Sequence, residues 1–260
     1  MCRLFGYIKQ PLFDSWYITR LIGQGTYSEV YEVTSDIETA VIKVKPVFTD
    51  TPESFERKIS VAEREAVIMD TLKDCPYIVR YHRKTIQKIS DLKYLFILKM
   101  EKLTPLTEQS GINFIPPEQV IKIALDIAKA LEYVHNSGVV HCDVKPDNFF
   151  ISSDGIHKLG DFNISGYQGT ERCVSGSHGY IAPEVYTATT YDTKSDIYSY
   201  GISINQLMKQ KCSPDFERII FKACSPDLST RYQSMSDIIS DISAIKRNIY
   251  INPEEFIVKK

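Results

Sequence analysis

The chain lacks a surplus of either charge, any paired-cysteine motif and any long apolar run, and each absence closes off a class of function. Its 260 residues carry 31 Lys and Arg against 33 Asp and Glu, a formal charge of −2. Nothing in that balance favours a nucleic acid or another polyanion as partner, so any phosphate recognition has to be local. The six cysteines (Cys2, Cys75, Cys142, Cys173, Cys212 and Cys224) include no C-x-x-C pair. That argues against zinc and dithiol sites and suits free thiols in a reducing compartment. The most apolar stretch, Tyr94–Met100, is strand-length and contains Lys99, far short of the roughly 20 residues a membrane span needs. The N-terminal MCRLFGYIKQPLF has neither the apolar segment nor the cleavage site of a secretory signal. With 43% hydrophobic and 25% charged residues, the composition is that of a soluble globular protein. The expectation is a cytoplasmic protein without a membrane span, working in its own cell or delivered into a host.

The texture of the chain changes near residue 101. Before it, runs rich in Val, Ile, Tyr and Phe predict strands at Trp16–Ile22, Glu29–Thr34, Thr39–Lys45, Ile78–Thr85 and Tyr94–Met100. One helix interrupts them, Pro52–Leu72, with Thr51 as its expected cap and Phe55, Ile59, Ala62, Ala66 and Met69 at helical spacing. After it, Pro117–Asn136 carries an apolar stripe from Val120 to Val134 and stops at Gly138. Further helices are expected at Lys194–Lys209, Pro214–Cys224 and Ser234–Ile249. The polar, glycine-rich stretch Val139–Tyr180 lies between. This predicts an α+β protein with a small sheet-plus-helix part, residues 1–101, and a larger, mainly helical part, residues 102–260. A cleft between two such parts is a natural ligand site.

Several short constellations carry chemistry. Gly23-Gln24-Gly25-Thr26-Tyr27-Ser28 lies between two strands, where two close glycines let a hairpin backbone approach a phosphate. The strand that follows, rather than a helix, removes a dinucleotide-binding reading. Alone, such a loop is more often just a turn. Lys43 ends the apolar run Ala40-Val41-Ile42. It is either an edge residue or a phosphate ligand held by a carboxylate, with Glu65 preferred over Glu63 and Glu56. His141-Cys142-Asp143-Val144-Lys145-Pro146-Asp147-Asn148 packs a carboxylate, a lysine and a carboxamide into six residues. Asp143 can orient or deprotonate a hydroxyl, Lys145 can neutralise a transferring phosphoryl group, and the Asn148 oxygen is a hard ligand for magnesium. The order H-x-D-x-K-x-x-N matches a catalytic signature. Gly160-Asp161-Phe162-Asn163, Ala182-Pro183-Glu184, Ser195–Gly201 and Arg231 follow in order.

Over about residues 16–245 the sequence resembles the eukaryotic-type protein kinases, with a serine/threonine pattern and a compact C-terminal part. The resemblance implies a two-lobed fold and transfer of the γ-phosphoryl group of ATP, with magnesium, to a Ser or Thr hydroxyl of a protein substrate. It further implies a nucleotide site of Ile22, Gly23, Gln24, Gly25, Thr26, Tyr27, Ser28, Val30, Val41 and Lys43. Met100 would be the gatekeeper, Glu101 to Leu103 the hinge, and Phe150 the floor beneath the base. Glu65 would hold Lys43, Asp143 would be the catalytic aspartate assisted by Lys145, and Asn148 and Asp161 would hold the metal. Glu184 and Arg231 would form a buried ion pair, Asp196 would brace the catalytic loop, and Phe162 would pack between the lobes. Lys145-Pro146 and Ser177, the latter expected near the acceptor hydroxyl, carry the Ser/Thr preference. A nucleotide-binding scaffold without turnover is the alternative, opposed by the presence of Lys43, Glu65, Asp143, Asn148 and Asp161 together. A small-molecule kinase is opposed by the Ala-Pro-Glu segment and Arg231.

The departures from the family pattern carry expectations of their own. Ser28 replaces the third loop glycine, and Val41 narrows the adenine slot. Asn163 replaces the glycine of D-F-G and is expected to tolerate a positive φ there. Cys142 replaces the arginine of H-R-D, and a thiol cannot pair with an activation-loop phosphate. Activity is therefore expected not to require phosphorylation at Thr170 or Ser175. The short interval between Asp196 and Arg231 predicts that one helix usual in the family is missing or reduced to a turn. The chain ends soon after its last helix, with INPEEFIVKK, and no appended domain is expected.

Overall fold

A computed structural model describes residues 4–25, 28–51, 54–108, 115–171, 175–208 and 212–251, with only the backbone described for 246–251. The chain divides into two units, Met1–Lys73 with Val79–Leu103, and Asp74–Ile78 with Thr104–Lys260.

In the first unit, alternating β-branched and aromatic residues form a five-stranded antiparallel sheet: β1 (Tyr17–Gln24), β2 (Glu29–Thr34), β3 (Thr39–Phe48), β4 (Tyr81–Ser90) and β5 (Lys93–Glu101). The strand order is β1-β2-β3-β5-β4. One helix, α1 (Phe55–Thr71), packs against β3, β4 and β5. Its N-cap position is Ser54, not Thr51. The Thr51 hydroxyl instead accepts the Ser54 N–H at 3.3 Å, and the Thr51 carbonyl accepts the Ser54 hydroxyl at 2.8 Å. The expected helix start at Pro52 lies outside the described residues. The fourth strand also begins later than expected, at Tyr81, because Ile78 is committed elsewhere, in an isolated parallel bridge to Leu159.

The other face of the sheet is covered by the segment before β1. Leu4, Ile8, Leu12 and Trp16 are buried together with Tyr31, Val33, Ala40, Ile42, Val44, Leu95 and Ile97. Leu12 and Trp16 exchange two backbone hydrogen bonds of 2.8 Å, and left-handed φ angles at Phe13 and Asp14 close that turn. Glu29, itself buried, accepts the Leu4 N–H at 3.0 Å and anchors the start of the segment.

The second unit is built on α2 (Pro117–Asn136), with α3 (Thr193–Leu207), α4 (Pro214–Ala223) and α5 (Met235–Ile251). Helix α2 packs on α3 and α5, and α4 joins those two. Pro117 suits the first turn of α2, and Gly138, at φ 72, ends it just past the C-cap. Val120, Ile121, Ile123, Ile127, Leu131 and Val134 are buried along its stripe. Each such side chain contributes about 1.5–3 kcal/mol of transfer free energy against the entropy of folding. Ser213 caps α4 by accepting the Phe216 N–H. Among the described residues no further helix stands between Leu207 and Pro214.

Two small sheets complete this unit. In one, β7 (Val139–Val140) pairs with β10 (Gly166–Tyr167). In the other, β6 (Thr104–Pro105), β8 (Phe149–Ile151) and β9 (His157–Leu159) pair in the order β6-β8-β9. Gly166 is required by packing, since a Cβ there would lie 2.3 Å from the Tyr191 ring. Asp126, in mid-α2, accepts the backbone N–H of His157 at 3.1 Å and meets its Nδ1 at 2.8 Å, fixing β9 against the helix.

Candidate active site

In the first unit, strand periodicity brings Lys43 and Lys45 to one face of β3, where α1 presents Glu65. Lys43 Nζ lies 2.9 Å from Glu65 Oε1, and Lys45 Nζ lies 2.5 Å from Oε2. The three side chains are 8%, 11% and 1% exposed for Lys43, Lys45 and Glu65. A lone buried carboxylate would be strongly disfavoured, and two ammonium groups converge on it. Glu63, an alternative considered for Lys43, bonds Lys84 at 2.7 Å on the surface instead. The share taken by Lys45 was missed in the sequence, although its i+2 spacing from Lys43 is the signal that places it there.

The glycine loop belongs to the same unit. Ile22, Gly23 and Gln24 close β1, and Gly23 sits opposite Val30 in register. Gly25 N–H donates to the Ser28 carbonyl at 2.8 Å. Thr26 and Tyr27 lie outside the described residues. Val30 is opposite Lys43, and Val41 opposite Met100, so these residues fall on neighbouring strands of one sheet. Ile22 is partly exposed and Val41 buried. Glu101 gives its N–H to the Arg80 carbonyl at 3.0 Å and takes the Arg80 N–H on its carboxylate. Leu103 is half-buried.

In the second unit, β7 delivers the chain to His141 and Asp143. Asp196, in the first turn of α3 and completely buried, accepts the His141 N–H at 2.7 Å, the Cys142 N–H at 2.8 Å and a contact from His135 Nε2 at 3.0 Å. Burial by itself would raise this carboxyl. The hydrogen bond from His135 and the His141 N–H outweigh burial and hold it below its usual value. This grip stabilises Cys142 at φ 71, a left-handed conformation that a non-glycine residue keeps only when its neighbours impose it. His141 accepts the Asp143 N–H on Nδ1 at 3.2 Å, so its Nε2 carries the proton it gives to the Gly160 carbonyl at 3.0 Å. Its ring meets Phe162 edge-on, centroids 4.7 Å apart.

Asp143 is the centre of a closed polar network. Its Oδ1 accepts the Ser177 hydroxyl at 2.7 Å and the Ser177 N–H at 3.1 Å. Its Oδ2 faces Lys145 Nζ at 2.9 Å and Asn148 Nδ2 at 3.1 Å. Lys145 also donates to the Ser177 hydroxyl, and Asn148 donates to the Asp143 carbonyl at 2.7 Å. Register places the expected metal residues. Phe149 is opposite Leu159, so Asn148 and Gly160 flank the same end of the β8–β9 hairpin, and Gly160 N–H donates to the Asn148 carbonyl at 3.0 Å. Asp161 follows directly. Phe150, the expected floor residue, pairs with Pro105 and Lys158 in this sheet.

One expectation is corrected here. Positive φ falls on Asp161, at 64°, and on Cys142, whereas Asn163 is not among the residues with positive φ. The turn demands its unusual conformation two residues earlier than the D-F-G comparison suggested, so the Asn in place of glycine costs nothing on that account. Glu184 and Arg231 meet as expected. The two guanidinium nitrogens lie 2.6 and 3.0 Å from the two carboxylate oxygens, and the Arg231 side chain is fully buried. Its remaining donors go to the carbonyls of Ser225, Lys194 and Pro226.

Comparison with known proteins agrees with this arrangement. The profile described as "Protein kinase domain" matches residues 16–241. A probable serine/threonine-protein kinase of Clostridium perfringens is 26% identical over 277 residues, covering 93% of this chain and 40% of that protein. A mitosis inhibitor protein kinase of Saccharomyces cerevisiae is 30% identical over 264 residues, covering 91% of this chain and 31% of the relative. Mitogen-activated protein kinase kinase kinase 17 of Arabidopsis thaliana is 29% identical over 200 residues, 74% of this chain and 51% of that protein. The chain thus spans a third to a half of the length of these relatives. Among the described residues no helix is long and apolar enough to cross a membrane. With a matched profile over most of its length, an antiparallel sheet followed by a helical part, and the family's polar residues in order along it, the chain belongs to the protein kinase domain family.

Proposed function

We propose that this protein kinase transfers the γ-phosphoryl group of ATP to Ser or Thr hydroxyls of a protein substrate. The observation that carries the reading is the Asp143 network. A carboxylate fixed by Lys145 and Asn148 already receives a hydroxyl, that of Ser177, on Oδ1. An acceptor hydroxyl needs the same kind of contact to be oriented for attack. Lys145 would neutralise the charge of the group in transfer. Lys43, positioned by Glu65, would hold phosphate oxygens, and the glycine-loop backbone would cover them.

Magnesium fits the donor set. The Asn148 amide nitrogen is committed to Asp143, which leaves its oxygen for a cation, and Asp161 adds a carboxylate anchored next to it through Gly160. Two hard oxygen donors suit an ion that keeps phosphate oxygens and waters in its other positions. When bound, the ion would neutralise phosphate charge. The Ser/Thr preference rests on Lys145-Pro146 and on the compact Ser177 contact, and relatives named as serine/threonine-protein kinases support it.

The test is incubation with γ-labelled ATP and magnesium, with and without a generic basic protein, followed by phosphoamino-acid analysis. Label on serine or threonine, abolished in Asp143→Asn while nucleotide binding persists, is the expected outcome. ATP binding by the wild type without any labelling would overturn the proposal.

A further inference from the structure

Lys99 is unusual for a residue in a central strand. On β5 it lies opposite Ile42 and Arg83, on the sheet face that the N-terminal segment covers. It is only 9% exposed. Its ammonium makes no ion pair and no hydrogen bond among the described residues. Its ammonium rests on the Trp16 ring, 3.8 Å from the centroid, with Phe13 further off at 5.9 Å. An indole face compensates a buried cation only in part.

A cavity of about 350 Å³ opens beside it, with Trp16, Glu38, His82, Lys99, Glu101 and Lys102 on its wall. That is the lower end of the size range of small-ligand sites. The other charges nearby are already used. Lys102 pairs with Glu32 at 2.6 Å, and the Glu101 carboxylate takes the Arg80 N–H at 2.6 Å. Burial pushes the Lys99 ammonium down, with Glu38 opposing and Arg83 reinforcing, and burial likewise lowers His82. The wall therefore presents one poorly compensated cation, an aromatic surface and two carboxylates, that of exposed Glu38 and that of Glu101, which already accepts the Arg80 N–H.

We propose that this cavity is a binding site for a small oxyanion group, a carboxylate or a phosphate, held by the Lys99 ammonium against the Trp16 ring. Glu38 disfavours a second negative charge on the ligand, so a monoanion binds better than a dianion. The site lies wholly within the first unit and does not depend on the phosphoryl-transfer reading.

Trp16 is the only tryptophan of the chain, so its fluorescence reports directly on the cavity. The whole protein is titrated with acetate, with inorganic phosphate and with chloride at matched ionic strength. The expected result is a saturable emission change with acetate or phosphate and none with chloride. Response to acetate alone assigns a carboxylate, and response to phosphate alone assigns a phosphate. Lys99→Met should weaken binding by about tenfold or more, the usual consequence of losing a charged hydrogen-bond partner. Glu38→Gln, on the surface, should tighten it about threefold by removing a like charge. Lys88→Met, at an exposed lysine, should leave it unchanged. No saturation, equal response to chloride, or unaltered affinity in Lys99→Met would overturn the proposal. Should Lys99→Met fail to fold, unaltered affinity in Glu38→Gln would overturn it as well.

Discussion

Replacing Asp196 tests the support of the catalytic loop most directly. The wild-type carboxylate, itself without access to water, accepts two backbone N–H groups and faces one histidine. In Asp196→Ala the His141 and Cys142 N–H groups lose their acceptor. Each unsatisfied buried donor costs about 1–3 kcal/mol, and removing one partner of a buried charged cluster costs about 3–5 kcal/mol in total. The left-handed φ of Cys142 then has nothing to impose it, and about 1–3 kcal/mol of local strain favours its release. That motion breaks the His141–Asp143 contact, so turnover should fall further than stability alone requires. Urea unfolding at pH 7 should show a loss of about 3–5 kcal/mol in Asp196→Ala. Asp91→Ala, at an exposed aspartate, should stay within about 0.5 kcal/mol of wild type. The pH dependence has a definite sign. The folded carboxyl is held below its usual 3.8, so its stabilisation is complete above that value and is lost as the pH falls through the lower folded value. The wild type should therefore show a steeper acid limb below about pH 4 than Asp196→Asn. A loss under about 1 kcal/mol with parallel acid limbs would refute the reasoning.

The lysine pair predicts a non-additive cycle. Lys43→Met should abolish most turnover yet cost under about 2 kcal/mol of stability, because Lys45 still neutralises Glu65, whereas Lys43→Met/Lys45→Met should cost about 3–5 kcal/mol; additive losses in denaturant titrations would contradict it. Thr170→Ala/Ser175→Ala should retain most of its turnover in a steady-state assay, since Cys142 offers no cation for a phosphate there. Arg231→Lys should lower stability by about 3 kcal/mol, measured by thermal unfolding, because an ammonium cannot reproduce the paired contacts to Glu184 or reach the three carbonyls.

What could be read from the sequence was local, and what escaped it was mostly long-range. Helix α2 has the bounds expected of it because Pro117 and Gly138 are both punctuation at the chain level. Strand β2 likewise runs from Glu29 to Thr34 as its alternation predicts. The order of polar residues from Lys43 to Arg231 was legible because phosphate chemistry restricts residue types, not only hydrophobicity. Ile78 was misjudged because its partner, Leu159, is distant in sequence and belongs to the other unit's sheet region with it. Thr51 has the composition of a cap and its hydroxyl does accept the Ser54 N–H, but the regular helix starts at Phe55, which puts Ser54 at the N-cap position without a side-chain cap bond. Asn163 was assigned a positive φ by analogy, while the structure has it at Asp161. The N-terminal segment was read only for targeting signals, although Leu4, Ile8, Leu12 and Trp16 recur every four residues and are all buried.

That segment has a practical meaning for the molecule. Nearly all of it precedes the region matched by the family profile, yet it is the lid over Tyr31, Val33, Ile42, Val44, Leu95 and Ile97. A polypeptide trimmed to the profile's first residue would present that aliphatic surface to water, and its failure would be clumping with its own copies before any loss of chemistry.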